Sequence, residues 1–526
     1  MARRQSLIPL LILLAAAVLR LVLLDLKPPH FDEGINGWWC DEMAKHGYYA
    51  YDPTNYHGPL HFYVLFAFLR LFGRNLWALR LPVALMGIAT VGLVLSFHRH
   101  LGRSVAYLTA AAVALSPGFV FYQRYSIHET WLTFFLILFF WALYRLYQTT
   151  DRLGTAALVL SVTGMVLTKE TYIIHLFAAA VAAGFVLIFS KQRGELFQRL
   201  WQGLEPRAFR WAAAAGVFLV VFFYSGNFLH LEGLRGLFET FTPWTKTGID
   251  AAGHAKTDYD LFAVVPKALA TVGPLAKLRP FKVNWYWVKL FTVYEWFALA
   301  GLLLSTRYFF TGRHGLRFLA VYAWLTLLAY SLIPYKTPWC VISIAWPFFF
   351  LSSAGLVSLH RVLTVWPVAA VAAALLGHDA WQMGRLNFSQ YDNPRQMYAY
   401  VQTYRDYRWF VDPILQEIRL DPGAKGRLKG NVLLSSYFPI PWVLGELSHV
   451  GYYSDDEAWP KQLDADFIVA EDELAGDVEA ELTQTYFENT FRLRDGMGPC
   501  RVFFRYDTFK NVFPNRQPDF RPEPHE

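Results

Sequence analysis

About eleven runs of mostly apolar residues, each close to the length of a bilayer-spanning helix, occupy the first 378 residues of this 526-residue chain. A helix needs about 20 such residues to cross the hydrocarbon core of a membrane. The pattern therefore predicts an all-α polytopic membrane protein. The predicted spans are residues 7–24, 76–97, 104–121, 131–149, 154–168, 172–190, 211–229, 288–305, 316–333, 339–357 and 362–378.

The composition excludes several other classes of protein. Charged residues make up 17% of the chain, whereas soluble globular proteins carry about 25%. The 44 Phe, 29 Tyr and 19 Trp give too much apolar mass for a disordered or collagen-like chain. Three cysteines, Cys40, Cys340 and Cys500, are too few for a disulfide scaffold; one disulfide is possible, but the sequence does not define a pairing. A net charge of +7 is small for this length and does not indicate a nucleic-acid partner.

The distribution of Lys and Arg between the spans predicts the orientation of the chain. Cations gather in alternate loops, which the positive-inside rule assigns to the cytoplasm. The intervening short loops each carry one cation, Arg124, Lys169 or Lys336. The N-terminus is therefore predicted inside and the C-terminus outside, in an inner (cytoplasmic) membrane. The cation-rich loops contain Arg99, Arg103, Arg145, Arg152, Lys191, Arg193, Arg199, Arg207, Arg210, Arg307, Arg313, Arg317 and Arg361.

Three outer segments are too long to be simple connections. The first, 25–75, ends in an apolar and aromatic run, 59–74, that predicts an interfacial amphipathic helix. The second, 230–287, is expected to fold over the membrane face. The third, 379–526, predicts a small extracytoplasmic α/β domain that follows a transmembrane module, 1–378. Its predicted strands are residues 431–435, 465–470 and 500–506.

Two adjacent acids, Asp32 and Glu33, directly follow the first span. Carboxylates near hydrocarbon are costly to place, which favours a functional role, although acids at a helix N-terminus or in a solvated loop give the same pattern. Trp38 and Tyr56 belong to the same segment and supply aromatic rings of the kind that stack on sugars. The segment therefore predicts a substrate site at the outer membrane face.

His57 and His61 lie four residues apart and could share one face of a helix. That spacing suits a metal ion, but Pro59 lies between them and the intervening acid of a zinc-protease motif is absent. Substrate-side hydrogen bonding is the favoured interpretation. No cofactor is indicated by the sequence, and a divalent metal stays an open alternative.

Arg124, Lys169 and Lys336 oppose the charge bias that sets the topology. They are predicted to surround an anionic ligand, for which a lipid phosphate or pyrophosphate is the natural candidate. Interfacial anchoring, or a local ion pair between Lys169 and Glu170, is the alternative. The sequence contains no phosphate-binding P-loop, dinucleotide fingerprint, HExxH, paired CxxC or GxSxG motif, so none of the usual soluble chemistries is supported.

The ordered set of motifs resembles the GT-C glycosyltransferases, which include the protein O-mannosyltransferases and the lipid A aminoarabinose transferases. The nearer likeness is to prokaryotic relatives known as flippase activity-associated proteins, and it extends over nearly the whole chain. The motifs that carry it are His30-Phe31-Asp32-Glu33, Tyr51-Asp52-Pro53, Tyr56-His57-Gly58-Pro59, Lys336-Thr337-Pro338-Trp339, Asp392-Asn393-Pro394-Arg395 and Tyr400-Val401-Gln402-Thr403.

The resemblance implies transfer of a sugar from a polyprenyl-phosphate donor to a lipid, glycan or protein acceptor at the outer face, with inversion of configuration. Asp32 would be the general base, and the three cations would stabilise the leaving phosphate. Glu33 and Glu129 would orient the acceptor, the sugar or a divalent ion. The alternative function is a lipid-linked-sugar flippase or transport component that binds the same headgroup without chemistry, and a membrane scaffold is the third hypothesis.

Overall fold

Two compact units make up the computed structural model, which describes residues 7–250, 254–260, 283–311, 313–360, 362–454 and 458–522. One unit contains residues up to 24 and 46–390, and the other combines 25–45 with the chain from 391 onward. The sequence had placed 25–45 with the membrane module and the domain boundary at 378/379. The N-terminal basic residues, Arg361 and the 251–253 and 261–282 parts of the second outer segment lie outside the described residues.

Helices occur at every predicted span of the first unit. Two of the predicted spans are each divided into two consecutive helices. The helices are Leu7–Leu21, Leu76–Ser96, Arg103–Leu115 with Pro117–Tyr122, Glu129–Gln148, Arg152–Val166, Tyr172–Ile188, Pro206–Tyr224, Tyr286–Tyr294 with Trp296–Ser305, His314–Leu332, Val341–Leu359 and Val365–Gly384.

Five helical stretches in the described part of the chain are long and apolar enough to cross a membrane: Leu76–Leu101, Glu129–Gln148, Pro206–Tyr224, His314–Leu332 and Pro338–Leu359. The other helices at predicted spans are shorter, divided or less apolar, so the count of eleven crossings stays a prediction. The predicted interfacial run forms a helix, Leu60–Phe72, and the second outer segment contains Glu232–Glu239 and Phe241–Asp250. Another short helix, Arg193–Gly203, precedes the Pro206–Tyr224 helix.

Buried carboxylates explain why the 286–305 helix is interrupted. Glu295 lies at the break, and its side chain accepts hydrogen bonds from Ser116 Oγ at 2.8 Å and the Gly118 amide at 2.7 Å. Asp379 accepts hydrogen bonds from the amides of Trp296 and Phe297, at 2.8 and 3.1 Å. The amides of a helix N-terminus have no partner within their own helix, so each acid satisfies donors that burial would otherwise leave unpaired.

The second unit is built on a five-stranded mixed sheet. Its strands are β1 (Lys429–Leu433), β2 (His449–Tyr453), β3 (Phe467–Glu471), β4 (Tyr486–Arg492) and β5 (Pro499–Arg505). Their order is β2-β1-β3-β5-β4; β1 is parallel to β2 and β3, and β5 is antiparallel to β3 and β4. The three predicted strands match β1, β3 and β5 within two residues at either end, whereas β2 and β4 were missed.

Apolar side chains cover both faces of this sheet. Val432 and Phe504 belong to one core, while their neighbours Leu433 and Phe503 belong to a second core on the opposite face. This alternation follows from the two-residue period of a strand. The Arg408–Leu420 helix contributes Phe410 and Ile414 to the first core, and the Ala475–Glu481 helix contributes Ala475 and Val478 to the second.

A helix, Phe31–His46, carries the two predicted acids and belongs to the second unit. Its glycines allow it to approach the chain around residue 440 closely. A Cβ on Gly34 would lie 2.4 Å from the Cα of Pro439, and a Cβ on Gly37 would lie 2.4 Å from the ring of Trp442. Larger residues at these two positions would force the helix away, so the sequence segment that begins with Asp32 is firmly packed in its own unit.

Candidate active site

Asp32 lies in the first turn of the Phe31–His46 helix, and a third of its side chain is exposed. Its backbone amide donates to Nδ1 of His30 at 3.1 Å, and its carboxylate lies 3.8 Å from the same nitrogen. The Nε2 of His30 hydrogen-bonds to the carbonyl of Tyr400 at 2.9 Å. A carbonyl accepts only, so this bond places a proton on Nε2 and leaves Nδ1 as the acceptor for the Asp32 amide. His30 is thereby fixed, and it positions the turn that presents the carboxylate.

Glu33 differs sharply from its neighbour because its side chain is fully buried. Its Oε2 accepts a hydrogen bond from the His30 backbone amide at 2.9 Å. An acid that closes the first turn in this way satisfies a helix-terminal donor and interacts favourably with the helix dipole. Of the two predicted acids, the structure leaves Asp32 accessible and encloses Glu33.

The turn around residue 400 contributes to the same region, although the sequence indicated it only through resemblance. Gln402 Nε2 donates to the carbonyl of Pro28 at 3.1 Å, next to the His30–Tyr400 contact. Burial raises the pKa of Tyr400 to about 12, and the negative charge of Asp32 adds to that effect. The two segments are therefore held together by hydrogen bonds to backbone carbonyls, made at Pro28 and His30 just before Asp32.

Arg494 is a residue that the sequence analysis missed entirely. Its guanidinium lies 4.7 Å from the ring centre of Phe31 and donates to the carbonyls of Ser436 and Phe438. Burial lowers the pKa of Arg494 to about 10, while the carboxylate of Asp32 is among the groups that oppose this. No local sequence motif identifies Arg494 as part of this region, because its partners are backbone oxygens far away in sequence.

Arg124 belongs to the first unit and is fully buried. Its guanidinium donates to the carbonyls of Leu19 and Val22, both at 2.8 Å, and of Leu23 at 2.5 Å. These carbonyls lie at the C-terminal end of the Leu7–Leu21 helix, where the last turn lacks internal partners and the helix dipole favours a cation. The ring of Phe388 also lies 4.8 Å from the guanidinium carbon. Arg124 thus caps a helix.

Lys169 pairs with Glu129 and not, as the sequence alternative supposed, with Glu170. Both side chains are almost completely buried. Burial alone would lower the pKa of Lys169, but the charges of Glu129, Cys340 and Glu170 outweigh it and raise that pKa well above its ordinary value. The adjacent Glu170 instead accepts from His57, with Nδ1 and Oε2 3.0 Å apart.

Lys336 follows the His314–Leu332 helix and is completely buried. Its ammonium group donates to the carbonyl of Ile333 and lies 3.5 Å from that of Ser331. Burial lowers the pKa of Lys336 to about 8, although Cys340 acts in the opposite direction. Arg124 and Lys336 therefore share one feature: each cation stands at the carbonyl end of a helix.

The predicted helix face shared by His57 and His61 is wrong, because His57 precedes the Leu60–Phe72 helix and pairs as a β-bridge with Lys169. Gly58 permits this approach, since a Cβ there would lie 2.3 Å from the Leu167 carbonyl. The two imidazoles are nevertheless close, because both rings contact His128, with centroids 4.5 and 4.2 Å apart.

The residues of this cluster do not fit a metal ion. His61 Nδ1 accepts from Trp131 Nε1 at 2.9 Å, and its Nε2 lies 3.2 Å from Ser126 Oγ. Both nitrogens are therefore engaged. Among the described residues, no group of three or more His, Cys, Asp or Glu side chains is arranged to hold a metal. The three cysteines are free and buried, and Cys340 lies beside the Lys169–Glu129 pair.

Both predicted aromatic residues are half-buried. Trp38 lies six residues beyond Asp32 on the same helix and packs edge-on against Trp39, with ring centroids 4.9 Å apart. Tyr56 has a positive φ of 44° and contacts His57 edge-on at 5.0 Å. The structure thus groups Asp32, Glu33 and Trp38 in the second unit. It groups the other predicted residues in the first: Tyr56, His57, His61, Arg124, Glu129, Lys169 and Lys336.

Comparison with known proteins agrees with the membrane-glycosyltransferase expectation. Residues 56–223, less than half of the chain, match the family model described as dolichyl-phosphate-mannose-protein mannosyltransferase. By sequence, no curated protein matches.

Solved structures resemble the chain over almost its whole length. ArnT from Cupriavidus metallidurans, bound to undecaprenyl phosphate, superposes with a TM-score of 0.55 and 14% identity, over 94% of this chain and 97% of that one. The Archaeoglobus fulgidus oligosaccharyltransferase, solved with zinc and sulfate, gives a TM-score of 0.53 and 14% identity, over 93% and 73%. A second structure of this oligosaccharyltransferase, tethered to an acceptor peptide with an NVT sequon, gives a TM-score of 0.55 and 12% identity. The match covers 94% of this chain and 74% of that one. The fold is therefore that of the GT-C glycosyltransferases.

Proposed function

With the GT-C glycosyltransferase fold as the premise, we propose that this protein transfers a sugar from a polyprenyl-phosphate donor to an acceptor at the outer membrane face. The observation that carries the proposal is Asp32, an accessible carboxylate whose helix turn is fixed by His30 and the Tyr400 carbonyl. The likeness to ArnT, a structure that contains undecaprenyl phosphate, supports a lipid-linked donor. The narrower likeness to flippase activity-associated proteins stays an expectation.

The proposed chemistry is a single displacement. The acceptor hydroxyl or amide attacks the anomeric carbon, and a new bond from the acceptor atom to that carbon forms as the bond from the carbon to the phosphate oxygen breaks. Asp32 takes the acceptor proton, and the polyprenyl phosphate leaves with the electron pair. Attack from the face opposite the phosphate inverts the configuration of the sugar. His30 acts as a positioning residue, because its contacts are to the chain around Asp32.

The leaving phosphate gains negative charge and needs cationic donors. Arg124, Lys169 and Lys336 are the predicted donors, and their present partners suggest an order among them. Arg124 already makes three hydrogen bonds to carbonyls, and Lys169 is neutralised by Glu129. Lys336 touches only uncharged carbonyls among the contacts described for its ammonium group, so a phosphate would replace weaker partners there. We therefore assign Lys336 as the principal phosphate ligand.

Transfer by the purified protein from a synthetic polyprenyl-phosphate sugar to a set of acceptor alcohols and peptides tests the proposal. Asp32→Asn should lower the rate by about 10²–10⁴-fold, the usual contribution of a positioned base, without loss of donor binding. Asp25→Asn is the matched control, because Asp25 is an exposed acid of the same unit. Donor binding without transfer by the wild-type protein, for any acceptor, would instead favour the flippase or transport function.

A further inference from the structure

A large apolar chamber lies within the first unit, away from every predicted donor residue. Its volume is about 820 Å³, within the range of about 300–1,000 Å³ typical of cavities that hold small ligands. None of Arg124, Lys169 and Lys336 belongs to its lining. Most of its wall is hydrocarbon, with Phe139, Leu143, Leu176, Leu187, Leu196 and Phe318 as typical contributors.

Small residues on one helix face leave space for the chamber. Leu176, Ala180, Ala183 and Leu187 line it and follow the spacing of a single face of the Tyr172–Ile188 helix. The two alanines are exposed, although the leucines above and below them are half-buried. Small side chains at the centre of the face therefore create the space, which the amphipathic Arg193–Gly203 helix borders with Leu196 and Leu200.

A polar pocket of about 380 Å³ adjoins the chamber. Six residues line it: Arg307, Tyr308, Phe310, Thr311, Arg313 and Ser358. Arg313 and Ser358 also line the chamber, so the two spaces share a wall. The guanidinium of Arg307 packs 5.3 Å from the Tyr308 ring centre. Within the described residues, neither Arg307 nor Arg313 pairs with a carboxylate.

Three buried polar atoms around the chamber have no hydrogen-bond partner in the described part of the chain. They are Nε2 of His100, Oη of Tyr144 and Nδ1 of His314, and all three residues line the chamber. A buried polar atom without a partner costs about 1–3 kcal/mol, so such groups usually mark a missing partner. Ester and phosphate oxygens would accept hydrogen bonds from the Tyr144 phenol and from an N–H at Nδ1 of His314, whereas His100, whose Nδ1 donates to Gln148 Oε1 at 2.8 Å, offers Nε2 as an acceptor for a headgroup hydroxyl.

We propose that the chamber and the adjoining pocket bind one anionic phospholipid of the surrounding membrane, with its hydrocarbon in the chamber and its phosphate at Arg307 and Arg313. Charge complementarity favours this occupant over a zwitterionic lipid, because two arginines without carboxylate partners face the pocket. The sequence-based topology places both arginines on the cytoplasmic side, where anionic lipids attract basic residues. This site does not depend on the proposed transfer reaction.

The test measures lipid retained by the full-length protein. Delipidated protein is mixed with dioleoyl phosphatidylglycerol or dioleoyl phosphatidylcholine, and bound lipid is counted by native mass spectrometry. The wild type should retain one phosphatidylglycerol with at least a tenfold preference over phosphatidylcholine. Ala180→Trp fills the chamber and should abolish retention, while Val181→Trp places the same bulk on the next residue, outside the lining, and should not.

A second set of variants tests whether the polar pocket binds the phosphate. Arg307→Gln with Arg313→Gln should lower the preference for phosphatidylglycerol to about twofold or less, whereas Arg99→Gln with Arg193→Gln, two exposed arginines outside both linings, should preserve it. Equal retention by Ala180→Trp and Val181→Trp would overturn the proposal. So would displacement of the retained lipid by an equimolar amount of undecaprenyl phosphate, since the chamber would then be a donor site.

Discussion

Lys169 and Glu129 form a buried ion pair that joins two loop ends of the first unit, 40 residues apart in sequence. Glu129 begins the Glu129–Gln148 helix, and Lys169 lies between two other helices. The opposite charges of Lys169 and Glu129 compensate each other. Electrostatic attraction, to which Glu129 contributes most, outweighs the effect of burial and raises the pKa of Lys169. An isolated charge at either position would remain desolvated without compensation.

Replacing one member of this ion pair should destabilise the protein more than replacing both members together. We expect Lys169→Met or Glu129→Gln alone to cost about 3–5 kcal/mol, because each leaves one buried charge without its partner. The double variant should recover part of the loss, since no uncompensated charge remains. Thermal unfolding of the four proteins in detergent measures the coupling. Simple addition of the two single effects would contradict an energetic pairing.

The sequence predicted the strands that are most fully buried. The strands β1, β3 and β5 are the three central ones of the sheet, and each contains or leads into a short apolar run that reveals it. The strands β2 and β4 lie at the two edges, where burial is partial, as in Tyr486–Arg492 with its Glu, Asn and Thr. Edge strands mix polar and apolar residues because one side faces solvent, so their pattern is weak.

The site was harder to predict because its contacts are made to backbone atoms. The cost of a carboxylate beside a span identified Asp32, but nothing in the residue types around Arg124 indicates that carbonyls about 100 positions earlier would accept its hydrogen bonds. Arg494 was missed for the same reason. Every residue offers a carbonyl, so such partners carry no signature in the sequence.

The two adjacent acids should have separable roles. Glu33→Gln removes the charge that caps the His30 amide inside the protein, so we expect a loss of stability of about 1–3 kcal/mol. Asp32→Asn changes a partly exposed group and should affect turnover with little effect on unfolding. Thermal unfolding and turnover measured on both variants separate these effects. If Glu33→Gln kept full stability but lost activity, Glu33 would have to act on the substrate.

Arg124 should contribute more to stability, as a helix cap, than to binding of the donor phosphate. Arg124→Lys keeps the charge but cannot reproduce hydrogen bonds to three carbonyls, so we expect a lower unfolding midpoint, with a cost of at least about 2 kcal/mol. Arg207→Lys is the matched control, since Arg207 is an exposed arginine of the same unit. If Arg124→Lys unfolded like wild type and only donor affinity fell, the phosphate role would displace the capping role.

Lys336 should give donor binding a dependence on pH that an arginine would not. Burial lowers the pKa of this lysine to about 8, so its ammonium loses its proton as the pH rises through that value. A phosphate needs the charged form, and donor affinity should therefore fall above about pH 8. The folded lysine holds its proton less tightly than the unfolded one. The free energy of unfolding should consequently rise between about pH 8 and the ordinary lysine pKa of about 10.4, opposite to the trend in affinity.

Lys336→Arg separates the two contributions. Arginine stays charged over this range, so the variant should bind donor with an affinity that no longer falls above pH 8, even if its geometry makes binding weaker overall. Lys336→Ala should bind weakly at every pH, whereas Lys246→Ala, at an exposed lysine of the same unit, should match wild type. The measurement is donor affinity in nanodiscs from pH 6.5 to about 9.5. A wild-type affinity that is flat with pH, or an alanine variant indistinguishable from Lys246→Ala, would reduce Lys336 to a cap on the helix that ends at Leu332.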